Sequence, residues 1–229
     1  KVIALVNGSY IMEAGPLNQY ADAILWIGGT GLYGPYGVSH LLSGKANPSG
    51  RLVDTWMFDE KTSSTYYTTQ NASSQYMENG KAIGSYTNYN EGIYVGYRFY
   101  ETADEDVVAY PFGYGLSYST FSERIVEAKR EEGEFRFTVE VTNTGNLVGK
   151  HTVQIYVEKP YDENLGIEVS KVELVAFDKT ALLAPNEKAT LSLSVAEDYL
   201  ASYDAKAENG KGAYALLDGD YQFYLSSST

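Results

Sequence analysis

The first 56 residues contain short runs dominated by apolar residues, each followed by a helical or glycine-rich stretch. The runs are Val2–Val6 and Ala21–Ile27, and a candidate for a third is Arg51–Trp56. Strands without polar alternation are typical of a parallel sheet whose two faces are both covered by helices. The pattern therefore predicts two or three buried parallel strands, with crossover helices around Met12–Tyr20 and Gly37–Leu42.

From residue 121 onward the pattern changes, because apolar and polar residues alternate along the chain. The alternation is clearest in four segments: Phe135–Val141, Val153–Val157, Leu191–Val195 and Tyr221–Leu225. Turn-forming sequences separate these segments, among them Asn143-Thr-Gly145, Pro185-Asn186-Glu187 and Asp218-Gly219. Short alternating segments at this spacing predict an antiparallel β-sandwich of six or seven strands. The expected fold class is α/β followed by all-β.

The two patterns suggest a division of the chain into three parts. We expect residues 1–58 to be the second half of an α/β sandwich domain, and residues 121–229 to be the β-sandwich. Between them, residues 59–120 form a tyrosine-rich connector that should pack on both domains, and eleven of the 22 tyrosines lie between Tyr66 and Tyr118. A doubly wound domain normally has five or six strands, so two or three indicate a piece of a larger protein.

Composition narrows the possible functions. The formal net charge is −13, and both halves are negative, so no nucleic-acid partner is expected. No run of 18 apolar residues is present, so no membrane span is expected. Cysteine is absent, which removes disulfides and thiol chemistry. The chain starts directly in an apolar run with no visible signal peptide, and either the bacterial cytoplasm or secretion remains open as its location.

One segment matches a nucleotide-binding pattern. Residues Gly29–Gly34 read G-x-G-x-x-G after an apolar run, and Asp54 lies 20 residues beyond, where a ribose-binding acid is found in dinucleotide-binding proteins. The predicted helix that follows is short, and Pro35 and Tyr36 add bulk at its start. These two features argue against nucleotide binding, but because the glycine pattern is complete, a nucleotide-binding domain is kept as an alternative function.

Three ordered motifs are more specific. They are Asn47-Pro-Ser-Gly-Arg-Leu52, then Tyr89-Asn-Glu-Gly-Ile-Tyr-Val-Gly-Tyr-Arg-Phe-Tyr100, then Pro111-Phe-Gly-Tyr-Gly-Leu-Ser-Tyr-Ser-Thr-Phe121. The series closely resembles glycoside hydrolase family 3, the β-glucosidase and β-xylosidase family. Three later segments resemble the fibronectin-III-like domain of that family: Val141–Gly145, Gln154–Val157 and Glu173–Lys179. Two departures are mild: the Leu-x-x-Phe stretch lacks the usual glycine, and Pro185-Asn186-Glu187 replaces Pro-Gly-Glu.

The resemblance implies what the parent enzyme does. It would hydrolyse terminal non-reducing β-D-glucosyl or related residues with retention, acting on a β-linked oligosaccharide or glucoside without metal or cofactor. In the family the nucleophile is an Asp in a Ser-Asp-Trp context on a (β/α)8 barrel, and many members have an acid/base Glu in a Gly-Glu-x-x-Asp-Arg-like segment. Neither sequence occurs here. The resemblance thus implies a scaffold segment with no catalytic residue, inactive without the missing barrel.

A few side chains are candidates for other roles. Tyr33 and Tyr36 follow a predicted parallel strand, so their rings could either stack on a leaving-group sugar at the carboxyl end of the sheet or pack against the missing barrel. Glu91 lies in the strongest motif, but it matches a structural rather than a catalytic position of the family. Under the resemblance, the glycines of Gly29–Gly34 form a tight turn rather than a phosphate site. A non-catalytic carbohydrate-binding or adhesion module is kept as the other alternative.

Overall fold

The structure is a computed structural model that describes residues 1–66, 68, 74–103 and 105–229. The helices are α1 (Gly15–Tyr20), α2 (Gly34–Leu42), α3 (Tyr97–Ala103) and α4 (Ala207–Gly210). The strands of the first half are β1 (Ile3–Val6), β2 (Ala23–Trp26), β3 (Trp56–Met57), β4 (Ser74–Glu78), β5 (Lys81–Tyr86) and β6 (Val108–Tyr110). Those of the second half are β7 (Phe121–Glu131), β8 (Glu134–Asn143), β9 (Thr152–Glu158), β10 (Glu173–Lys179), β11 (Lys188–Ala196), β12 (Ser202–Asp204), β13 (Ala213–Ala215) and β14 (Gln222–Leu225).

The predicted parallel pairing at the start of the chain is confirmed. Strands β1 and β2 are parallel neighbours, with Ile3 opposite Ala23. The two crossover helices are also present, but α1 starts three residues later than predicted and α2 three residues earlier. Each begins with a proline in its first turn, Pro16 and Pro35, where the missing N–H has no helical acceptor to lose.

The prediction of a third parallel strand at Arg51–Trp56 is wrong. The strand in this region is β3, which pairs antiparallel with β6. Leu52 instead forms backbone hydrogen bonds with the loop after β6, because its N–H donates to the carbonyl of Tyr114 at 2.8 Å and its carbonyl accepts from Gly113 at 2.9 Å. Its backbone groups are therefore committed to a partner distant in sequence, which the local apolar pattern does not reveal.

The small parallel sheet is covered on one face only. Val6 is buried against Ala14 and Trp56, and Ile24 and Trp26 pack on the same cluster. The alternate residues of β1 lie on the other face, where Ile3 is 53% and Leu5 44% exposed. Within the described residues, α1, β3 and β6 supply apolar side chains to one face alone, as expected for a sheet of two strands that is part of a larger protein.

The predicted β-sandwich is confirmed. One sheet has the order β11-β8-β7 and the other β10-β9-β14, and every pairing in them is antiparallel. Strands β12 and β13 form a separate hairpin. The core between the sheets contains Val139 and Val141 of β8 and Val153 and Ile155 of β9, all fully buried. Their alternation in the sequence thus matches the buried face of each strand.

Strand β9 is also buried on the face that points away from this core. Gln154 donates from Nε2 to the carbonyls of Gly113 at 3.3 Å and Ser227 at 2.9 Å. The hydroxyl of Tyr156 donates to Oε1 of Gln154 at 3.0 Å. The segment after β6 therefore covers the outer face of the sandwich at β9. Within the described residues, no helix is both long and apolar enough to cross a membrane.

Candidate functional site

The candidate site lies at the carboxyl ends of β1 and β2, which meet at one edge because the strands are parallel. The loops that follow the two strands both leave the sheet here. The indole N–H of Trp26, the last residue of β2, donates to the carbonyl of Gly8 in the loop after β1 at 2.7 Å. Crevices at the carboxyl ends of parallel strands are the usual ligand-binding place of α/β proteins.

Both tyrosines predicted from the sequence follow β2 at this edge. Tyr33 immediately precedes α2 and is 76% exposed, and Tyr36 lies in the first turn of α2 and is 70% exposed. The N–H of Tyr36 donates to the carbonyl of Tyr33 at 3.1 Å, so a backbone hydrogen bond links the two positions. Each ring presents an accessible apolar face, which is what stacking on a sugar requires. Their contact with a sugar stays a prediction.

The glycine-rich loop between β2 and α2 has the geometry of a tight turn. Gly28 and Gly31 have φ of 57° and 60°, the left-handed region that glycine adopts without strain. A Cβ added at Gly34 would lie 2.7 Å from the Cβ of Thr30, so this glycine permits close packing of the loop on the helix start. These roles explain the glycines without a phosphate. Asp54, the proposed ribose-binding acid, is solvent-exposed.

The motif that begins at Asn47 forms the seam between the α/β part and the sandwich. The side chain of Asn47 donates from Nδ2 to the carbonyl of Val148 at 3.2 Å. Its Oδ1 accepts from the hydroxyl of Ser117 and from the backbone N–H of Tyr118, both at 2.8 Å. The side chain of Asn47 therefore connects its own segment to the segment at Ser117–Tyr118 and to the loop at Val148.

Two further residues of this motif extend the seam. The carbonyl of Ser49 accepts from Nζ of Lys179 on β10 at 2.8 Å. The guanidinium of Arg51 donates to the carbonyl of Gly115. Burial lowers the pKa of Arg51, while the nearby carboxylate of Glu123 acts in the opposite direction. The motif holds the seam through backbone carbonyls and a partly buried cation, a structural role that its sequence alone did not indicate.

The motif around Glu91 contacts the sandwich domain. The hydroxyl of Tyr94 donates to Oε2 of Glu168 at 2.5 Å, and burial followed by this hydrogen bond raises the pKa of Tyr94 to about 12. The hydroxyl of Tyr97 accepts from the N–H of Leu174 on β10 at 3.1 Å. Glu91 itself accepts from the hydroxyl of Thr68 at 3.0 Å. These contacts fit the structural reading of Glu91.

An ion-pair cluster completes the contact between α3 and β10. Glu173 lies 2.8 Å from Nζ of Lys159, whose side chain is only 3% exposed, and 3.7 Å from Nε of Arg98. Glu173 also accepts from the hydroxyl of Ser170 at 2.9 Å. A buried ammonium needs a paired carboxylate, because an isolated charge in this environment would be strongly destabilising. Arg98 is thus part of the ion-pair network centred on Glu173.

Among the described residues, the acidic side chains of Glu140, Asp162 and Glu197 have pKa values shifted downward, the direction opposite to that of an acid catalyst. Hydrogen bonds from Arg124 and Lys188 lower the pKa of Glu140, and Arg130 lowers that of Glu197. A glycosidase acid must instead be held protonated near neutral pH. Across the described ranges, no group of three or more His, Asp or Glu side chains is placed to hold a metal ion.

Comparisons with known proteins agree with this geometry. Residues 1–97 match the glycosyl hydrolase family 3 C-terminal domain, and residues 151–229 match the fibronectin type III-like domain. A β-glucosidase of Ruminococcus albus is 34% identical over 99% of this chain and 22% of its own length. The β-glucosidase A of Butyrivibrio fibrisolvens is 35% identical over 89% of this chain and 25% of its own.

Solved structures give the same result. A β-glucosidase from Paenibacillus barengoltzii has a TM-score of 0.80 and 33% identity, covering 100% of this chain and 24% of its own. The β-glucosidase 3B of Thermotoga neapolitana in complex with glucose has a TM-score of 0.85 and 30% identity, covering 100% and 30%. The chain thus spans about a quarter of the length of these proteins. Neither the nucleotide-binding domain nor the carbohydrate-binding or adhesion module gains support from these matches. The chain belongs to glycosyl hydrolase family 3, and it contains a region that matches that family's C-terminal domain followed by a fibronectin type III-like domain.

Proposed function

We propose that this chain is the scaffold part of a longer β-glucosidase that hydrolyses terminal β-D-glucosyl residues with retention. The observation that supports the proposal most is the contrast between the share of this chain and the share of its relatives that align with each other. Relatives named β-glucosidase align with 89–99% of the chain, yet the chain spans only 22–25% of their length. The substrate would be a β-linked oligosaccharide or glucoside, since one neighbouring structure holds glucose.

The family resemblance and the missing sequence motifs indicate that the catalytic groups lie outside this chain. Retention requires two carboxyl groups about 5 Å apart, one ionised as nucleophile and one protonated as acid. No Ser-Asp-Trp segment occurs in the 229 residues. We therefore assign both catalytic carboxyl groups to parts of the enzyme outside this chain, the nucleophile on a (β/α)8 barrel. The residues of this chain would support the position of the domains that carry these carboxyl groups.

We assign the chain three parts: residues 1–58 as the second half of the α/β domain, 59–120 as the connector and 121–229 as the sandwich. The hydrogen bonds of Asn47 and of Gln154 support the expected packing of these parts on one another, because Asn47 bonds to the sandwich and Gln154 bonds to the connector. Within the first part, Tyr33 and Tyr36 would line the side of the sugar cleft that receives the leaving group. Their exposure at the carboxyl edge of the parallel strands supports this role.

Activity assays on the whole enzyme and on the isolated 229-residue chain test the proposal. The whole enzyme is expected to hydrolyse aryl β-glucosides and to release β-glucose first, as retention requires. The isolated chain, confirmed as folded by circular dichroism, is expected to show no turnover on the same substrates. Hydrolysis by the folded isolated chain would contradict the assignment of its scaffold role, and an inactive whole enzyme would contradict the proposed activity.

A further inference from the structure

Strands β4 and β5 form a hairpin whose turn is specified by local sequence. The turn residues are Asn79 and Gly80, with φ of 51° and 73°. Two consecutive left-handed residues of the type Asn-Gly are the strongest short-range signal for a two-residue hairpin turn. The pairing runs from Ser74 opposite Tyr86 to Glu78 opposite Lys81, so the hairpin is regular apart from one bulge.

The hairpin exposes apolar side chains on both of its faces. Tyr76 and Tyr86 lie on one face, with ring centroids 4.8 Å apart, and Tyr76 is 58% exposed. Met77, the next residue along β4, points to the other face and is 59% exposed. Ile83, at the bulge, is 64% exposed. All six residues of β5 are exposed, so neither face has a substantial cover among the described residues.

A hairpin in this state is incomplete. A single two-stranded hairpin is marginally stable in water unless a third strand or another element packs on it. Contiguous exposed apolar side chains on an otherwise folded protein mark an interaction surface. The sequence encodes the turn and the pairing, and it also supplies side chains that gain stability only when they are covered. A partner surface is therefore part of the structure that this hairpin needs.

We propose that in the whole enzyme this hairpin packs on polypeptide that lies outside the present chain, an inference that rests on the proposed function. Relatives that align over nearly the whole chain are about four times longer, so a large protein surface is available to it. A second copy of the enzyme is the competing partner, and the dependence on protein concentration in the test below separates it from this proposal. The covering surface should be apolar, to match Met77 and Ile83.

Hydrogen exchange on the whole enzyme tests this inference. Peptides that cover residues 74–86 should exchange roughly a hundredfold more slowly than an unstructured peptide of the same sequence. This protection should be the same at every protein concentration used. Replacing Ile83→Ser should speed exchange in those peptides at least tenfold. The control variant Leu182→Ser changes a side chain with similar exposure, 62%, in the sandwich domain, and it should leave exchange at residues 74–86 unchanged.

Two outcomes would overturn the inference. Exchange as fast as in an unstructured chain would mean that the hairpin stays uncovered. Protection that rises with protein concentration, together with a dimer in analytical ultracentrifugation, would assign the surface to a second copy. These readouts do not depend on hydrolysis, so fast exchange at residues 74–86 would leave the proposed β-glucosidase activity unaffected. Conversely, an enzyme that is protected at these residues but inactive would contradict the proposed activity and not this inference.

Discussion

The carbonyl oxygen of Gly113 accepts a hydrogen bond from Nε2 of Gln154, which brings the loop after β6 onto the outer face of β9. Gly113 has φ of 82°, and a Cβ at this position would collide with the Gln154 carboxamide and lie 2.8 Å from the Tyr156 hydroxyl. The approach therefore requires glycine for two separate reasons, its backbone conformation and its lack of a side chain.

Gly113→Ala is expected to destabilise the chain more than Gly133→Ala. Gly133 has a nearly identical φ of 81°, but a Cβ there meets nothing within 4 Å. Both substitutions carry a backbone cost of about 1 kcal/mol in the free energy of unfolding. At position 113 the steric conflict should add about 1–3 kcal/mol. Urea denaturation of both variants measures the difference, and equal losses would contradict the steric argument.

Asn47→Ala should weaken the seam between the α/β part and the sandwich. Three hydrogen bonds are lost, each contributing about 1 kcal/mol net, so the free energy of unfolding should fall by about 2–3 kcal/mol. Asn47→Asp keeps the two bonds that Oδ1 accepts and loses the donation to Val148, so its loss should be smaller. Asn146→Ala, at an exposed position, is the control and should change stability by less than about 0.5 kcal/mol. If Asn146→Ala lowered the free energy of unfolding as much as Asn47→Ala, the loss in Asn47→Ala could not be assigned to the hydrogen bonds across the seam.

The tyrosine on β14 should make stability fall at alkaline pH. Burial, followed by the nearby carboxylates of Glu158 and Glu101, raises the pKa of Tyr224 from 10.0 to about 12. Because the folded state holds this proton more tightly, the contribution to stability is fully present below pH 10 and is lost as pH rises toward 12.

Tyr224→Phe should therefore flatten the decline in the free energy of unfolding between pH 10 and 12. Chemical denaturation at a series of pH values measures this slope, and phenolate absorbance follows the titration directly. Tyr10→Phe, at a side chain 83% exposed, provides the comparison. If both variants follow the wild-type slope, the pH dependence has another source.

In the whole enzyme, Tyr33→Ala and Tyr36→Ala should weaken binding of β-linked oligosaccharides. An aromatic stacking contact contributes about 0.5–1.5 kcal/mol, so KM should rise about 2- to 10-fold for each variant. Tyr20→Ala is a matched control, because Tyr20 is 72% exposed but ends α1, next to the amino end of β2. Unchanged KM values in Tyr33→Ala and Tyr36→Ala would place both rings outside the cleft.

Several elements were predictable because their signal is local. The alternation in Phe135–Val141 and Val153–Val157 identifies strands β8 and β9 and the face of each that enters the core. The apolar runs at the start of the chain likewise identify β1 and β2, because each strand lies within a single continuous apolar run. The third-strand prediction failed at Leu52, whose backbone bonds to Tyr114 and Gly113 depend on a contact some 60 residues away.

The amino-acid sequence by itself determined the first two parallel strands, the two-part fold class and the family, because periodicity and short motifs act over a few residues. Only the tertiary structure decided what the motifs do. It showed that Asn47 joins the α/β part to the connector and to the sandwich, that Arg51 bonds to the connector, and that Glu173 pairs with a buried lysine. It also showed that one face of β1 stays open. Such facts depend on which distant segments meet, and that is set by packing and hydrogen bonding across the whole chain rather than by any local pattern.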